Sequence, residues 1–114
     1  MSDKLSTIAQ RFADEIRAQD WSDVHSRADG ARHSRAVDRS TTEQLDADAT
    51  EVVLMNVVWV TGQALAEDDP QFDIRAYAEA CGVSDDWLLT KRGAPNGGIE
   101  AGIRRRRSRV VWGR

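Results

Sequence analysis

The chain lacks the features that would most quickly assign it a class. It has one cysteine, Cys81, so no disulfide can form within it. No apolar run approaches the roughly 20 residues that a membrane span needs; the longest, Val52 to Val60, is interrupted by Asn56. The opening residues, Met-Ser-Asp-Lys-Leu-Ser, have no basic start followed by an apolar core, so no secretory signal is expected. Cytoplasmic residence and no membrane partner are the expectations that follow. There is no internal repeat of useful length. The glycines at 93, 97, 98 and 102 follow no strand and lack the Gly-Lys-Ser/Thr ending of a phosphate loop.

Acid is missing from one end only. Positions 101–114 carry six arginines and no Asp or Glu, a local charge of +6. Positions 1–100 hold all 19 acids beside 10 Lys and Arg, and 10 − 19 = −9. The net charge of −3 therefore conceals an acidic body with a basic tail. Such a tail either seeks an anionic partner such as nucleic acid or folds back on its own acidic body.

At 114 residues a single domain is expected. Leu5, Ile8, Ala9, Phe12, Ala13 and Ile16 recur at the spacing of one helical face and predict a helix over 4–19. Residues 20–41 hold little apolar content and the turn pair Asp29-Gly30; they read as a loop anchored by Trp21, with one short helix as the alternative. Ser40-Thr41-Thr42-Glu43 fits a capping box. A helix over 43–66 should follow, with Leu45, Ala49, Val52, Val53, Trp59, Val60 and Ala64 at helical spacing. Val57 and Val58 widen its stripe until almost every side is apolar, the mark of a buried central helix. The rival is a strand over Val52–Val60, because β-branched residues dominate there; the length of the pattern favours the helix. Gly62 within it would permit a close helix crossing.

Asp68-Asp69-Pro70 reads as a cap with proline at the first helical position, predicting a helix over 70–81 that Gly82 ends. Ser84 caps a last helix over 85–91, with Trp87, Leu88 and Leu89 inward and Lys91 and Arg92 at its negative end. Residues 94–98, Ala-Pro-Asn-Gly-Gly, read as a linker, and 99–114 as the arginine-rich tail. The expected fold is all-α: a domain of about four helices over 1–93 with a basic C-terminal tail. Its core is predicted around Val52, Val53, Trp59 and Val60, with Phe12, Ile16, Phe72, Tyr77, Trp87 and Leu88.

Gly82-Val83-Ser84-Asp85-Asp86-Trp87-Leu88-Leu89-Thr90, with the alanine-rich helix before it and Gly93 after it, resembles the C-terminal helices of phage-repressor-type helix-turn-helix domains. The resemblance covers residues 77–93 and implies the local packing of that family. The family's DNA-reading helices lie upstream of this segment and need an exposed polar face. Here the upstream segment, Val52 to Val60, is apolar. Residues 68–82, beginning Asp68-Asp69-Pro70-Gln71-Phe72-Asp73, also resemble small uncharacterised proteins of bacteriophages and mobile elements.

The strongest candidate site is the tail: Arg104, Arg105, Arg106, Arg107, Arg109 and Arg114, with Trp112 interleaved and Lys91 and Arg92 extending the patch. Arginines neutralise phosphates and release counterions without sequence preference, and an exposed tryptophan stacks on an unpaired base. The plainer reading is a solvated tail, or one paired with the acidic body. Arg109 to Arg114 could also add as an extended strip to a partner's sheet edge or pack on the chain's own helices, self-packing being preferred. His25 and His33, eight residues apart, lack the second ligand pair of a zinc site. Cys81, on an apolar face before a glycine, reads as a small buried hydrophobe rather than a nucleophile. The acids form neither a metal loop nor an isolated carboxylate in an apolar stretch. No cofactor is expected and no enzyme is read. The expected function is a non-enzymatic accessory or regulatory protein that contacts nucleic acid. The alternative is a protein-binding module acting on a host or self partner, with a homodimer plausible because the central helix is apolar on so many sides.

Overall fold

The computed structural model describes residues 5–23, 28, 30–34, 36 and 44–104. Among them the structure is helical, in the order α1 (Thr7–Ala18), α2 (Ala47–Asp68), α3 (Ile74–Cys81), α4 (Asp85–Leu88) and α5 (Gly98–Ala101). No strand forms among the described residues; one isolated antiparallel bridge joins Leu89 to Pro95. The valine-rich middle is therefore a helix. Its 22 residues satisfy their own backbone groups, and β-branching does not overrule that length.

The caps explain where each helix begins. Ser6 accepts from the Ala9 amide and starts α1 three residues later than the expected 4. Asp46 accepts from the Ala49 amide and starts α2 at Ala47. The capping box at 40–43 lies outside the described residues, and α2 begins beyond it. Asp73, not Asp68 or Asp69, caps α3 through the Ala76 amide. Asp69 instead accepts from the Gln71 amide in a turn that carries Pro70, so the helix expected from 70 starts at Ile74. Gly82 ends α3 as expected, at φ 98°, where its lack of a Cβ removes the steric cost of the left-handed region. The Val83 amide then reaches back to the Ala78 carbonyl at 3.1 Å, the closing bond of a Schellman motif.

Both α1 and α2 pack against α3. The core comprises Ala9, Ala13 and Ile16 from α1, Leu54, Met55, Val58 and Ala66 from α2, Phe72, and Ile74, Tyr77, Ala78 and Cys81 from α3. Val83, Leu88 and Ile99 close it. Gly62 sits at the α2–α3 crossing: a Cβ there would lie 2.7 Å from Ile74 Cδ1, so the helices approach because that position has no side chain.

Part of the expected core is not core. Ile16, Phe72, Tyr77 and Leu88 are buried, and Val53, Trp59 and Trp87 are half-buried. Val60 is 71% exposed, Val52 47% and Phe12 38%. The inward face of α2 is Leu54-Met55-Val58-Gly62-Ala66 instead. When nearly every side of a helix is apolar, periodicity does not select the face that its neighbours cover.

By length and composition alone α2 is apolar enough to cross a membrane, with a mean hydropathy of 1.3 over its best 18 residues. It also packs a face on α1 and α3, as a core helix does, and one such helix is weak grounds for a membrane reading.

Residues 19–23 and 30–34 form a stitched loop without a helix among the described positions. The Trp21 indole donates to the Ile16 carbonyl at 2.9 Å, so the expected anchor is real. The Asp20 amide donates to the His33 carbonyl and the Leu45 amide to the Ser22 carbonyl, tying this loop to the start of α2.

Candidate functional site

The arginine run begins at a fixed point. Gln63, one turn before the end of α2, holds the backbone of Arg104 from both sides. Its Oε1 accepts from the Arg104 amide at 2.8 Å, and its Nε2 donates to the Arg104 carbonyl at 2.7 Å. A side-chain amide that offers one donor and one acceptor imitates a neighbouring strand and fixes the direction in which the chain departs. The same Nε2 donates to Glu67 at 2.9 Å, which orients the amide.

The segment before Arg104 is seated on Trp59. The indole donates to the Ile99 carbonyl at 3.1 Å, and Trp59 meets Trp87 edge to face with ring centroids 6.4 Å apart. Gly102 lies directly on the indole; a Cβ there would collide with the ring. Trp59, Val60, Gln63, Glu67, Gly102 and Arg104 together line an open groove of about 390 Å³.

Arg75 of α3 organises the rest of the C-terminal half. It donates to both Glu100 oxygens at 3.0 and 2.8 Å, to the Leu88 carbonyl at 2.8 Å and to the Asn96 carbonyl at 2.6 Å. One planar guanidinium thus joins α3, the end of α4 and α5. The hydrogen bonds from Arg75 hold the Glu100 carboxyl below its ordinary value, with burial opposing.

These contacts correct the expected linker and tail. Residues 94–98 return along α4: the Thr90 amide donates to Ala94, the Asn96 amide to Leu88, and the Asn96 side chain to Trp87. Ile99 is 1% exposed and belongs to the core, so the chain stays on the body through Arg104 rather than leaving it at 99. The helix expected over 85–91 is one turn, Asp85–Leu88. Lys91 and Arg92, expected at a helix end, stand exposed in the turn that Thr90 Oγ1 closes by accepting from the Arg92 and Ala94 amides.

Of the predicted site residues, Arg104 is exposed beside Gln63, while Lys91 and Arg92 ride on a different element, the turn after α4. Arg105, Arg106, Arg107, Arg109, Trp112 and Arg114 lie outside the described residues. Gln63, Arg75 and Glu100 escaped the sequence reading. The one available signal was Glu100, the sole acid after Asp86 in an otherwise basic stretch.

Two other polar clusters are structural in geometry. His33 Nε2 and Asp23 Oδ1 lie 2.7 Å apart with both side chains buried, a paired interior contact of the N-terminal loop. His25, the other histidine weighed as a ligand, lies outside the described residues. The Tyr77 hydroxyl meets Thr61 Oγ1 at 2.8 Å, and Thr61 bonds back to the Val57 carbonyl. Burial raises the Tyr77 hydroxyl and pushes the Cys81 thiol up to about 12, Tyr77 partly offsetting the latter by a hydrogen bond. A thiol so held is not a thiolate at neutral pH and is a poor nucleophile. Among the described residues no group of three His, Cys, Asp or Glu side chains is placed to hold a metal ion. No family model, curated protein or solved structure matches this chain.

Proposed function

We propose that this chain is a non-enzymatic accessory or regulatory protein that contacts nucleic acid through its arginine-rich C-terminal segment. The phage or mobile-element kind suggested by the two resemblances is part of this reading, as is action in the cytoplasm. The observation that carries it is the anchored start of the arginine run. Gln63 fixes the Arg104 backbone on the surface of α2, and five more arginines follow with no acid among them. Guanidinium groups pair with phosphate oxygens and release counterions, which gives affinity without base preference. Trp112 would add stacking on an unpaired base.

Salt dependence tests the reading. Fluorescence anisotropy with a labelled single-stranded oligonucleotide should weaken about 50-fold between 50 and 200 mM salt if four phosphates are neutralised. A variant carrying Arg104→Gln, Arg105→Gln, Arg106→Gln and Arg107→Gln should lose most of this binding. Equal binding by both proteins, or affinity indifferent to salt, would count against the tail as the contact.

A second reading has its own observation. Val52 and Val60 on α2, with Ile8 and Phe12 on α1, are large apolar side chains exposed on a small body. This favours a protein-binding module whose partner is a host protein or a second copy. Affinity between apolar faces changes little with salt, so the same titration separates the two.

A further inference from the structure

The exposed stripe of α2 is symmetric about its own middle. Positions 48, 52, 56, 60 and 64 follow one another at four-residue spacing and are all exposed: Asp48, Val52, Asn56, Val60 and Ala64. Val52 and Val60, 47% and 71% exposed, stand on either side of Asn56 at equal separation. Opposite charges mark the two ends. Asp48 is exposed two turns before Asn56. Arg104, also exposed, is held on Gln63, two turns after it.

The two charges lie on one flank of the stripe. At about 100° per residue, Asp48 and Trp59 fall about 80° and about 60° round the helix from Asn56, on the same side. Gly102 lies on the Trp59 indole, so the chain reaches Arg104 across that flank. Within one molecule the two charges are too far apart to pair, because the helix from Asp48 to Gln63 spans about 22 Å. In a copy that runs the other way, each falls opposite the other.

We propose that α2 pairs with α2 of a second copy, antiparallel, about a two-fold axis at Asn56. The two Asn56 amides then meet, each offering a donor and an acceptor to the other. Val52 of each copy packs on Val60 of the other, and Asp48 of each reaches Arg104 of the other. A two-fold axis across the helices keeps each flank beside the like flank of the second copy, which is what joins Asp48 to Arg104. A parallel pair would set Asp48 against Asp48 and the helix dipoles side by side in the same direction. The occupant is a second copy because the face complements itself. Positions equally far from Asn56 match in polarity near the middle and oppose in charge at the ends, as an isologous contact requires. The stripe from Asp48 to Ala64 is about 24 Å long. Such a contact falls at the small end of specific interfaces, so the pair forms and parts with concentration. The proposal rests on the second reading above, that the exposed valines bind protein, and names the partner. It does not depend on nucleic acid.

The test is sedimentation equilibrium of the full chain between about 5 and about 500 µM, the range suited to a small interface. The average mass should rise from one chain toward two. Val60→Lys, at a position open to solvent, should keep the circular dichroism spectrum and stay a single chain throughout. Asp48→Arg and Arg104→Asp should each weaken the pair about tenfold, since each sets like charges together twice in one dimer. The chain carrying both changes should return to within about threefold of wild type, because the charges are exchanged and not removed. A wild-type chain that stays single at the highest concentration overturns the proposal alone, since a host protein can still bind the face. A pair lost in Val60→Lys but not restored by the double exchange keeps the valines as a binding face and overturns the antiparallel pairing. A pair that survives Val60→Lys takes the valines out of the contact, and the proposal falls together with the support those valines lend to the reading beneath it.

Discussion

The two faces of α2 are made of the same kind of residue and do opposite things. The inner face, Leu54, Met55, Val58, Gly62 and Ala66, is closed against α1 and α3. The outer face sets Val52 and Val60 in the open, each two residues from a buried neighbour of similar chemistry, Leu54 and Val58 respectively. The difference is in what each face meets. The inner face meets Tyr77 and Ile74 across a glycine crossing, where one methyl is felt. The outer face ends in acids and a groove. Apolar composition therefore sets how much of a helix can be buried, and the neighbours set which part is.

The sharpest way to break this comparison is the matched pair Val58→Ala and Val60→Ala. Val58 is fully buried, and losing two methyl groups there should cost roughly 2–3 kcal/mol, the transfer term plus the cavity. Val60 is mostly solvated, and its truncation should stay within about 0.5 kcal/mol, with alanine's better helix propensity in its favour. Urea unfolding followed by circular dichroism measures both. Equal costs would mean that the two faces are covered alike.

Arg75→Met asks whether the inner face depends on the polar clamp that seats the C-terminal half. The Leu88 and Asn96 carbonyls each keep one backbone donor, so the loss should be moderate, about 1–3 kcal/mol. The acid limb carries a signature. Glu100 has its folded value depressed by Arg75, so the stability it lends is present above the ordinary carboxylate value, about pH 4.3, and is lost as pH falls through the lower folded value. The gap between wild type and Arg75→Met should narrow between pH 5 and pH 2. The narrowing should be small, because the Glu100 side chain is 53% exposed and water screens the pair. A gap that widens on acidification would contradict the role given to Arg75.

Tyr77→Phe is the mildest probe of the inner face. It keeps the ring and removes the hydroxyl that meets Thr61, while Thr61 retains its bond to Val57. A loss of about 0.5–1.5 kcal/mol is expected in the same unfolding measurement. A loss above 3 kcal/mol would make that contact a support of the crossing and not an accessory to it.

Much of the fold was legible locally. Helix existence followed from spacing, and Gly82 followed from the need for a left-handed residue after α3. The errors were of register and reach. Aspartates occur at 46, 68, 69 and 73, and any of them can cap; only the chain's later path decides that Asp46 and Asp73 do. Ala94 to Gly98 has the composition of an open linker, yet Asn96 turns it back through two bonds to α4 that no local rule supplies. Of the candidate site, the arginines were visible as a charge run. Their tether was not, since a lone glutamine in a helix has no distinguishing pattern.

The sequence by itself determined that the chain is helical, that its charge is split between an acidic body and a basic end, and where α3 stops. Those properties depend on neighbours within a few residues: periodicity, caps and the conformational freedom of one glycine. Tertiary structure alone decided which face of α2 is interior, that Ile99 belongs to the core, and that the arginine run starts from a two-point hold on Gln63. Each of these depends on pairs far apart in the chain, Gln63 with Arg104 and Arg75 with Glu100 among them. Packing against a particular neighbour selects one arrangement from several that local chemistry leaves equal.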